Sequence, residues 1–418
     1  MPTVVAEHPK KSQILAALED VDTSFTDVDP LENTMVLNMG PQHPATHGVL
    51  RVLIKLDGET VLGSVPELGY LHRGYEKIAE NATYHEFIPH TDRLDYLAPL
   101  SNNVGYVLAV EKLLGIEIPK RAEYIRVLIS EMARVASHLV AVGSMAMDVG
   151  ALTVLLWTFR EREKLLDIYD VLCGARFTTS YTRIGGLLQD WTDTCTAMLT
   201  KFLDEFDQDM KEVQQLLFTN RIFIERCENV GYISRQQCID MGMTGPILRA
   251  SGVPRDLRRD NPYLVYNDLD FDVITAQESD ALARFHVRFS EAMESAKILR
   301  QAMQKLPAGP ICANETKKVL PRKDRVYTKM EELIHDFMLI NMGIDPPVGE
   351  VYQGIESSKG EFGIYIVSDG TGQPWRLKIR SPSMVNLSAL PVMIKGAMVS
   401  DIVAIIGSID PVMGEADK

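Results

Sequence analysis

The sequence has few cysteines, and none of its five forms a CxxC pair. Iron–sulfur clusters and structural zinc sites need closely spaced thiolates, so we expect this chain to hold neither on its own. The scattered cysteines favour a reducing, cytoplasmic setting. GxGxxG and GxxxxGK[ST] sequences are also absent; residues 354–360 share the composition of a phosphate loop but not its order. The chain therefore shows no nucleotide site of its own.

Clusters of basic residues are missing as well. The formal net charge is −14, which argues against nucleic acid as the main partner. Residues 1–33 lack the apolar run of a secretory signal and are acidic, so we predict an extended N-terminal segment. The apolar fraction of 46% is ordinary for a globular protein, and 418 residues suffice for one large core or two packed domains.

Apolar residues recur at helical spacing in three long segments, which we predict to be amphipathic helices. These segments are 125–139, 198–217 and 282–299. Strand patterns lie at 34–38, 49–54, 362–367 and 375–379, and a stretch rich in Gly, Pro and Arg at 242–263 is predicted to be an ordered loop. The fold class predicted is α+β and mainly helical, with β elements near both ends. We divide it into an N-terminal β region (34–66), a helical core (67–350) and a C-terminal β hairpin with a tail (351–418).

The sequence GPQHPATHG at 40–48 places His43 and His47 in one short turn. Its prolines exclude a helix, so we predict a strand, a stiff turn that holds both histidines, and a second strand. Two interpretations follow from the residues alone. The histidines are metal ligands, although no nearby carboxylate completes a set, or they are two unrelated surface side chains.

Asp148 is the only charged residue between Leu139 and Trp157. Three interpretations remain: a membrane-spanning segment, a carboxylate at a helix end, or a buried acid that exchanges a proton with a neighbour. Gly143 and Gly150 are expected to interrupt any continuous helix here, which favours a globular interior over a bilayer.

Several long motifs of this chain carry a resemblance to one family. They are GPQHPATHG, ELGYLHRGYEK (67–77), HTDRLDYL (90–97), MDVGALT (147–153) and the C-terminal hairpin. Together they closely resemble the D subunits of proton-pumping NADH:quinone oxidoreductase, respiratory complex I, over residues 34–418. That family is related to the large subunits of nickel–iron hydrogenases, so the resemblance implies a hydrogenase-large-subunit-like helical core.

Hydrogenase large subunits hold nickel and iron with two CxxC pairs that this chain lacks. The first pair corresponds to positions near Asp95 and Ala98, and the second to Val412 and Glu415, just after Asp410. Without thiolates a soft metal centre cannot form, which excludes hydrogenase activity and any metal bound by this chain.

By the family's pattern, the vacated metal cavity becomes a pocket for the headgroup of quinone, which is the substrate. His47 and Tyr96 match the residues that hydrogen-bond the quinone carbonyls, and Asp148 matches the acid that partners the histidine. The resemblance thus implies a catalytic set of His47, Tyr96 and Asp148. A buried acid beside a histidine stabilises its charged form and is a means of coupling quinone reduction to distant pumping.

His43, Arg73 and Arg93 match positions that face a four-iron cluster in the neighbouring B subunit, which delivers the electrons. The resemblance therefore places NAD and iron–sulfur clusters in partner subunits only. It implies the B, C, H and I subunits as partners, and a peripheral location on the cytoplasmic side of the cell membrane, in contact with the membrane domain. The alternatives are a non-catalytic scaffold subunit and a related membrane-bound hydrogenase or ferredoxin-driven complex, against which the missing cysteine pairs argue.

Overall fold

The computed structural model of the chain describes residues 34–314 and 318–418. The predicted acidic segment at 1–33 lies outside the described residues. The rest confirms an α+β class that is mainly helical, with antiparallel strands near both ends.

The N-terminal sheet has three antiparallel strands in sequence order: β1 (Thr34–Met39), β2 (Arg51–Asp57) and β3 (Thr60–Glu67). The strand–turn–strand predicted around the two histidines is therefore present. Along β2, Val52 and Ile54 are buried in the core, and their neighbours Arg51 and Leu53 are half-buried. This alternation is typical of a strand with one covered face. The register pairs Leu37 with Ile54.

The helices fill most of the chain between and after the two sheets. In chain order they are α1 (Tyr75–Ala79), α2 (Ile88–Thr91), α3 (Pro99–Leu114), α4 (Lys120–Asp148), α5 (Leu152–Cys173), α6 (Asp193–Leu217), α7 (Arg221–Cys227), α8 (Arg235–Asp240), α9 (Pro246–Ala250), α10 (Leu257–Asp260), α11 (Ala281–Gln304), α12 (Lys323–Val326), α13 (Met330–Met342), α14 (Pro382–Leu387), α15 (Leu390–Ile394), α16 (Val399–Ile409) and α17 (Met413–Ala416). The three amphipathic helices predicted from apolar spacing are α4, α6 and α11. The stretch 242–263, predicted to be a loop, contains α9 and α10 instead.

Helix α4 is the centre of the core and packs most extensively against α5 and α11. It runs without a break through Gly143, so the expected interruption there is wrong. The reason is packing: an added Cβ at Gly143 would lie 2.2 Å from Thr158 Oγ1, so glycine lets α5 approach closely. The break falls at Gly150, with φ +99°, and divides the apolar run between α4 and α5. Among the described residues, no helix is both long and apolar enough to cross a bilayer.

A second three-stranded antiparallel sheet follows the helices. It contains β6 (Gly349–Ser357), β7 (Gly360–Ser368) and β8 (Arg376–Arg380), after a small pair, β4 (Thr182–Arg183) and β5 (Gly186–Leu187). The predicted hairpin is the β7–β8 pair, and β6 adds a strand that the sequence pattern did not indicate. Beyond it the chain forms α14 to α17, and residues 411–417 are all buried.

Charged side chains are buried between α4, α9, α11 and β6. Arg249 donates from Nε to Glu291 Oε1 at 2.6 Å and from Nη1 to Glu356 Oε1 at 2.7 Å. His138 Nε2 lies 3.1 Å from Glu291 Oε2. Burial, together with the charges of Arg134 and Lys359, lowers the pKa of His138 to about 4. These groups are paired because an isolated buried charge is costly.

Candidate functional site

The turn that carries the two histidines is held by its own hydrogen bonds. Residues Pro44–Thr46 form one 3₁₀ turn, whose N-cap is His43; His43 Nδ1 accepts a hydrogen bond from Ala45 N at 3.2 Å. Thr46 Oγ1 lies 2.8 Å from His43 O and 3.0 Å from Gly48 O. His47 follows in the left-handed conformation, with φ 51° and ψ 37°. This backbone conformation is unfavourable for a residue with a Cβ, and it turns the chain sharply at the imidazole.

His47 lies against the end of the central helix. Its Nε2 is 2.5 Å from Asp148 Oδ2, and the two side chains are 13% and 7% exposed. Asp148 is the last residue of α4, which confirms the interpretation as a carboxylate at a helix end. It is also a nearly buried acid beside a titratable neighbour, His47. A carboxylate at this distance fixes the orientation of the imidazole.

The two histidines have different partners, which bears on the metal interpretation. His43 caps the 3₁₀ turn and is exposed, whereas His47 bonds to Asp148. Over the described ranges, no group of three or more His, Cys, Asp and Glu side chains is placed to hold a metal ion. Thus His43 caps the turn, and His47 makes the contact between an imidazole and an acid.

Gly407 of α16 supports the His47–Asp148 pair from the C-terminal part of the chain. An added Cβ at Gly407 would lie 2.9 Å from Asp148 Oδ2 and 3.4 Å from His47 Nε2. A side chain here would push against both partners of the hydrogen bond. Sequence reasoning missed this residue; the available signal was a glycine within a mainly apolar helix.

Tyr96 is half-buried in the short segment between α2 and α3. Burial raises the pKa of its phenol to about 12, and the nearby charges of Asp95, Asp410 and Glu415 act in the same direction. The phenol is therefore neutral at pH 7 and can donate a hydrogen bond. Its ring packs on Gly414 of α17, where an added Cβ would lie 3.4 Å from Tyr96 Cδ1 and 2.6 Å from the Arg93 carbonyl oxygen.

Helix α17 connects the His47 turn with Tyr96. An added Cβ at Gly48, next to His47, would lie 2.9 Å from Met413 Cγ, while Gly414 packs on Tyr96. The structure thus brings the two predicted quinone ligands to neighbouring positions of one helix, and Asp148 to His47. His47 and Asp148 are far apart in the sequence and meet only in the fold, and Tyr96 contacts the same helix, α17, that borders the His47 turn.

Arg73 and Arg93 lie together on an open cavity of about 360 Å³. The other lining residues are Tyr75, Ile78, Pro89 and His90. Both arginines are exposed, and Arg93 Nη1 donates to the Pro89 carbonyl oxygen at 2.6 Å. The arrangement places two positive charges at one surface, where they can stabilise an anionic group on a partner.

Comparisons with known proteins identify the family. Residues 148–418 match the family described as respiratory-chain NADH dehydrogenase, 49 Kd subunit. A D subunit of NADH-quinone oxidoreductase from Chloroherpeton thalassium is 57% identical over 410 residues, covering 98% of this chain and 93% of that protein. The D subunit of the same enzyme from Methylacidiphilum infernorum is 53% identical over 412 residues, covering 99% and 97%. The chain belongs to the D-subunit family of NADH-quinone oxidoreductase.

Membership in this family confirms the resemblance drawn from the sequence motifs. The chain is a subunit of NADH-quinone oxidoreductase, or complex I, and other subunits of that enzyme are its partners. The D subunit from Salinibacter ruber, 50% identical over 397 residues and covering 95% of this chain and 88% of that protein, agrees.

Proposed function

We propose that this chain forms, with the cluster-bearing B subunit, the site where complex I reduces the quinone headgroup with electrons from NADH, coupled to proton translocation. The observation that carries the proposal is the 2.5 Å contact between His47 Nε2 and Asp148 Oδ2, next to the helix that also packs on Tyr96. The two proposed hydrogen-bond donors are His47 and Tyr96. Both lie in segments that are rigidly held, as a site for a small headgroup requires.

The chemistry of quinone reduction fits these side chains. Reducing a quinone to a quinol takes two electrons and two protons, so the site needs donors aimed at oxygens that become more basic. His47 and Tyr96 hydrogen-bond the quinone carbonyls in this proposal, because an imidazole titrates near neutrality and the phenol is neutral at pH 7. Asp148 stabilises the charged imidazole and passes a change of charge onward when His47 loses its proton.

The remaining assignments extend the same proposal. The exposed Arg73 and Arg93, with His43, face the cluster of the B subunit, and NAD and all iron–sulfur clusters belong to partner subunits. The chain sits peripherally on the cytoplasmic side of the membrane, in contact with the B, C, H and I subunits. The core is hydrogenase-large-subunit-like; the buried acids Asp95 and Glu415 stand where that family has thiolates.

The test is quinone-dependent NADH oxidation by assembled complex carrying Tyr96→Phe, with cluster reduction by NADH followed in parallel. We expect the cluster to be reduced normally while quinone turnover falls on the order of 100-fold, because one proton donor is lost. Tyr232→Phe, which removes the same hydroxyl from a tyrosine that is 60% exposed, is the control. Wild-type turnover in Tyr96→Phe would favour the scaffold alternative and overturn the site assignment.

A further inference from the structure

Glu415 is a buried acid that the proposed reaction has not used. It lies in α17, and its side chain has no exposed surface. Its Oε1 accepts a hydrogen bond from Ser383 N at 3.0 Å, whereas its Oε2 is buried without a hydrogen-bond partner among the described residues. A charged carboxylate with an unpartnered buried oxygen is expensive, and a neutral carboxylic acid is much less so.

The neighbours of Glu415 reinforce the neutral form. The charges of Asp95 and Lys359 act on Glu415, and the charge of Glu415 acts in turn on Tyr96 and Lys418. Lys359 is bonded to Asp410, and this buried pair largely cancels its own charge. Asp95 Oδ1 accepts hydrogen bonds from Leu97 N at 3.0 Å and Ala98 N at 3.3 Å, so the charged form of Asp95 has backbone donors that Glu415 Oε2 lacks, although burial raises the pKa of Asp95 as well.

The electrostatics agree with this geometry. Burial, and then the charge of Asp95, raise the pKa of Glu415 to about 8. With a pKa of about 8, Glu415 holds its proton at neutral pH. Two nearby acids with different environments commonly take different protonation states.

Glu415 is also placed next to the proposed proton donor. The preceding residue, Gly414, packs directly on the Tyr96 ring, and the charge of Glu415 acts on the Tyr96 phenol. Asp95 precedes Tyr96 in the chain. Tyr96 thus has two acids nearby. Asp95 is its neighbour in the sequence, and Glu415 is brought near by the packing of α17.

We propose that Glu415 holds a proton at neutral pH and restores it to Tyr96 each time Tyr96 has given its own proton to the reduced quinone. This inference rests on the proposed function. The Tyr96 O–H bond breaks and a quinol O–H bond forms, with both electrons supplied from NADH through the partner subunits. The Glu415 O–H bond then breaks and the phenol O–H bond is restored, and one of the two protons that quinone reduction takes up from the medium restores the Glu415 O–H bond. Glu415 acts through Tyr96 and is a positioning residue, not a catalytic one.

The test is the pH profile of quinone reduction by assembled complex carrying Glu415→Gln. The amide retains the shape and the bond from Ser383 but cannot release a proton. In the wild type we expect the rate to fall as pH rises through about 8, where Glu415 loses its proton. In Glu415→Gln we expect the rate at neutral pH to be roughly tenfold lower and flat from about pH 7 to pH 9.

Two further variants keep the outcome interpretable. Glu415→Asp retains a titratable group and is expected to restore a rate that falls at alkaline pH. Glu59→Gln makes the same change at an exposed turn and should leave the profile unchanged. If Glu415→Gln does not assemble, infrared difference spectra of wild-type complex decide the question: a protonated carboxyl band that changes on quinone reduction, and is absent at high pH, supports the proposal, and its absence overturns it.

The inference and the proposed function fail separately. A wild-type rate and pH profile in Glu415→Gln, with turnover still lost in Tyr96→Phe, overturns the role of Glu415 alone. Normal turnover in Tyr96→Phe overturns the quinone site itself, whatever Glu415→Gln shows.

Discussion

The imidazole of His47 and the carboxylate of Asp148 lie 2.5 Å apart although 101 positions separate them in the chain. A left-handed turn after a short 3₁₀ segment supplies one partner, and the C-terminal end of the central helix α4 supplies the other. The imidazole thus contacts a carboxylate that lies at the end of a helix, and this contact fixes its orientation. This pair is the most direct structural support for proton chemistry at the site.

Replacing Asp148 with Asn should slow quinone reduction on the order of 100-fold, since the imidazole loses the charged hydrogen-bond partner that orients it and takes part in proton transfer. The measurement is quinone-dependent NADH oxidation together with the protons translocated per quinone reduced. Asp240→Asn, at the exposed last residue of α8, makes the same change at another helix end and should have no effect. Normal turnover with full coupling in Asp148→Asn would contradict the role of this pair.

Replacing Gly407 with Ala should reduce quinone turnover on the order of tenfold by displacing Asp148 Oδ2 and His47 Nε2, which lie 2.9 and 3.4 Å from the added Cβ. Alanine within a helix ordinarily stabilises it by about 0.5–1 kcal/mol relative to glycine, so lost helicity cannot explain a slower enzyme. Turnover and thermal unfolding of the assembled complex are measured together. Ser400→Ala on the same helix is the control, and equal turnover in the two variants would show that the pair tolerates the added methyl group.

Replacing Arg249 with Met should lower the free energy of unfolding by roughly 3–5 kcal/mol, because Glu291 and Glu356 are left buried without their cation. The thermal midpoint and the yield of assembled complex report this loss. Arg221→Met removes an exposed pair with Glu225 and should change stability by less than about 1 kcal/mol. Similar midpoints for both variants would mean that the buried network relaxes around the missing charge.

Replacing both Arg73 and Arg93 with Met should lower the midpoint potential of the nearest partner cluster by on the order of 50 mV, because two cations no longer stabilise its reduced state. Redox titration of the cluster in assembled complex measures the change. Lys77→Met removes an exposed cation from the adjacent helix α1 and is the control. An unchanged potential in the double variant would place the cluster elsewhere.

Much of the fold could be predicted from periodicity. The three amphipathic helices and the strand–turn–strand around His43 and His47 follow from apolar spacing and from prolines that exclude a helix. The predicted break at Gly143 is wrong because the effect of this glycine depends on its distance to Thr158 in another helix, which no local pattern contains. A glycine in a helix can mean a break or a close contact, and only packing distinguishes the two.

The buried charges could not be predicted for a similar reason. Arg249 lies in a Gly-, Pro- and Arg-rich stretch whose composition predicts an ordered loop, and nothing in that composition indicates its carboxylate partners in α11 and β6. Of the site, His47, Tyr96 and Asp148 were named by resemblance, and the contact of His47 with Asp148 was then found in the structure. Gly407 and the unpartnered oxygen of Glu415 came from the structure alone.

The path of α16 and α17 between the His47 turn and Tyr96 also bears on how the site is made. Its parts come from residues near 47, 96, 148, 407 and 414, so nearly every contact closes a long loop of chain. Contacts of such high sequence separation carry a large cost of loop closure, which slows folding. The acid and the imidazole therefore become neighbours only when parts of the chain that are far apart in sequence have packed together.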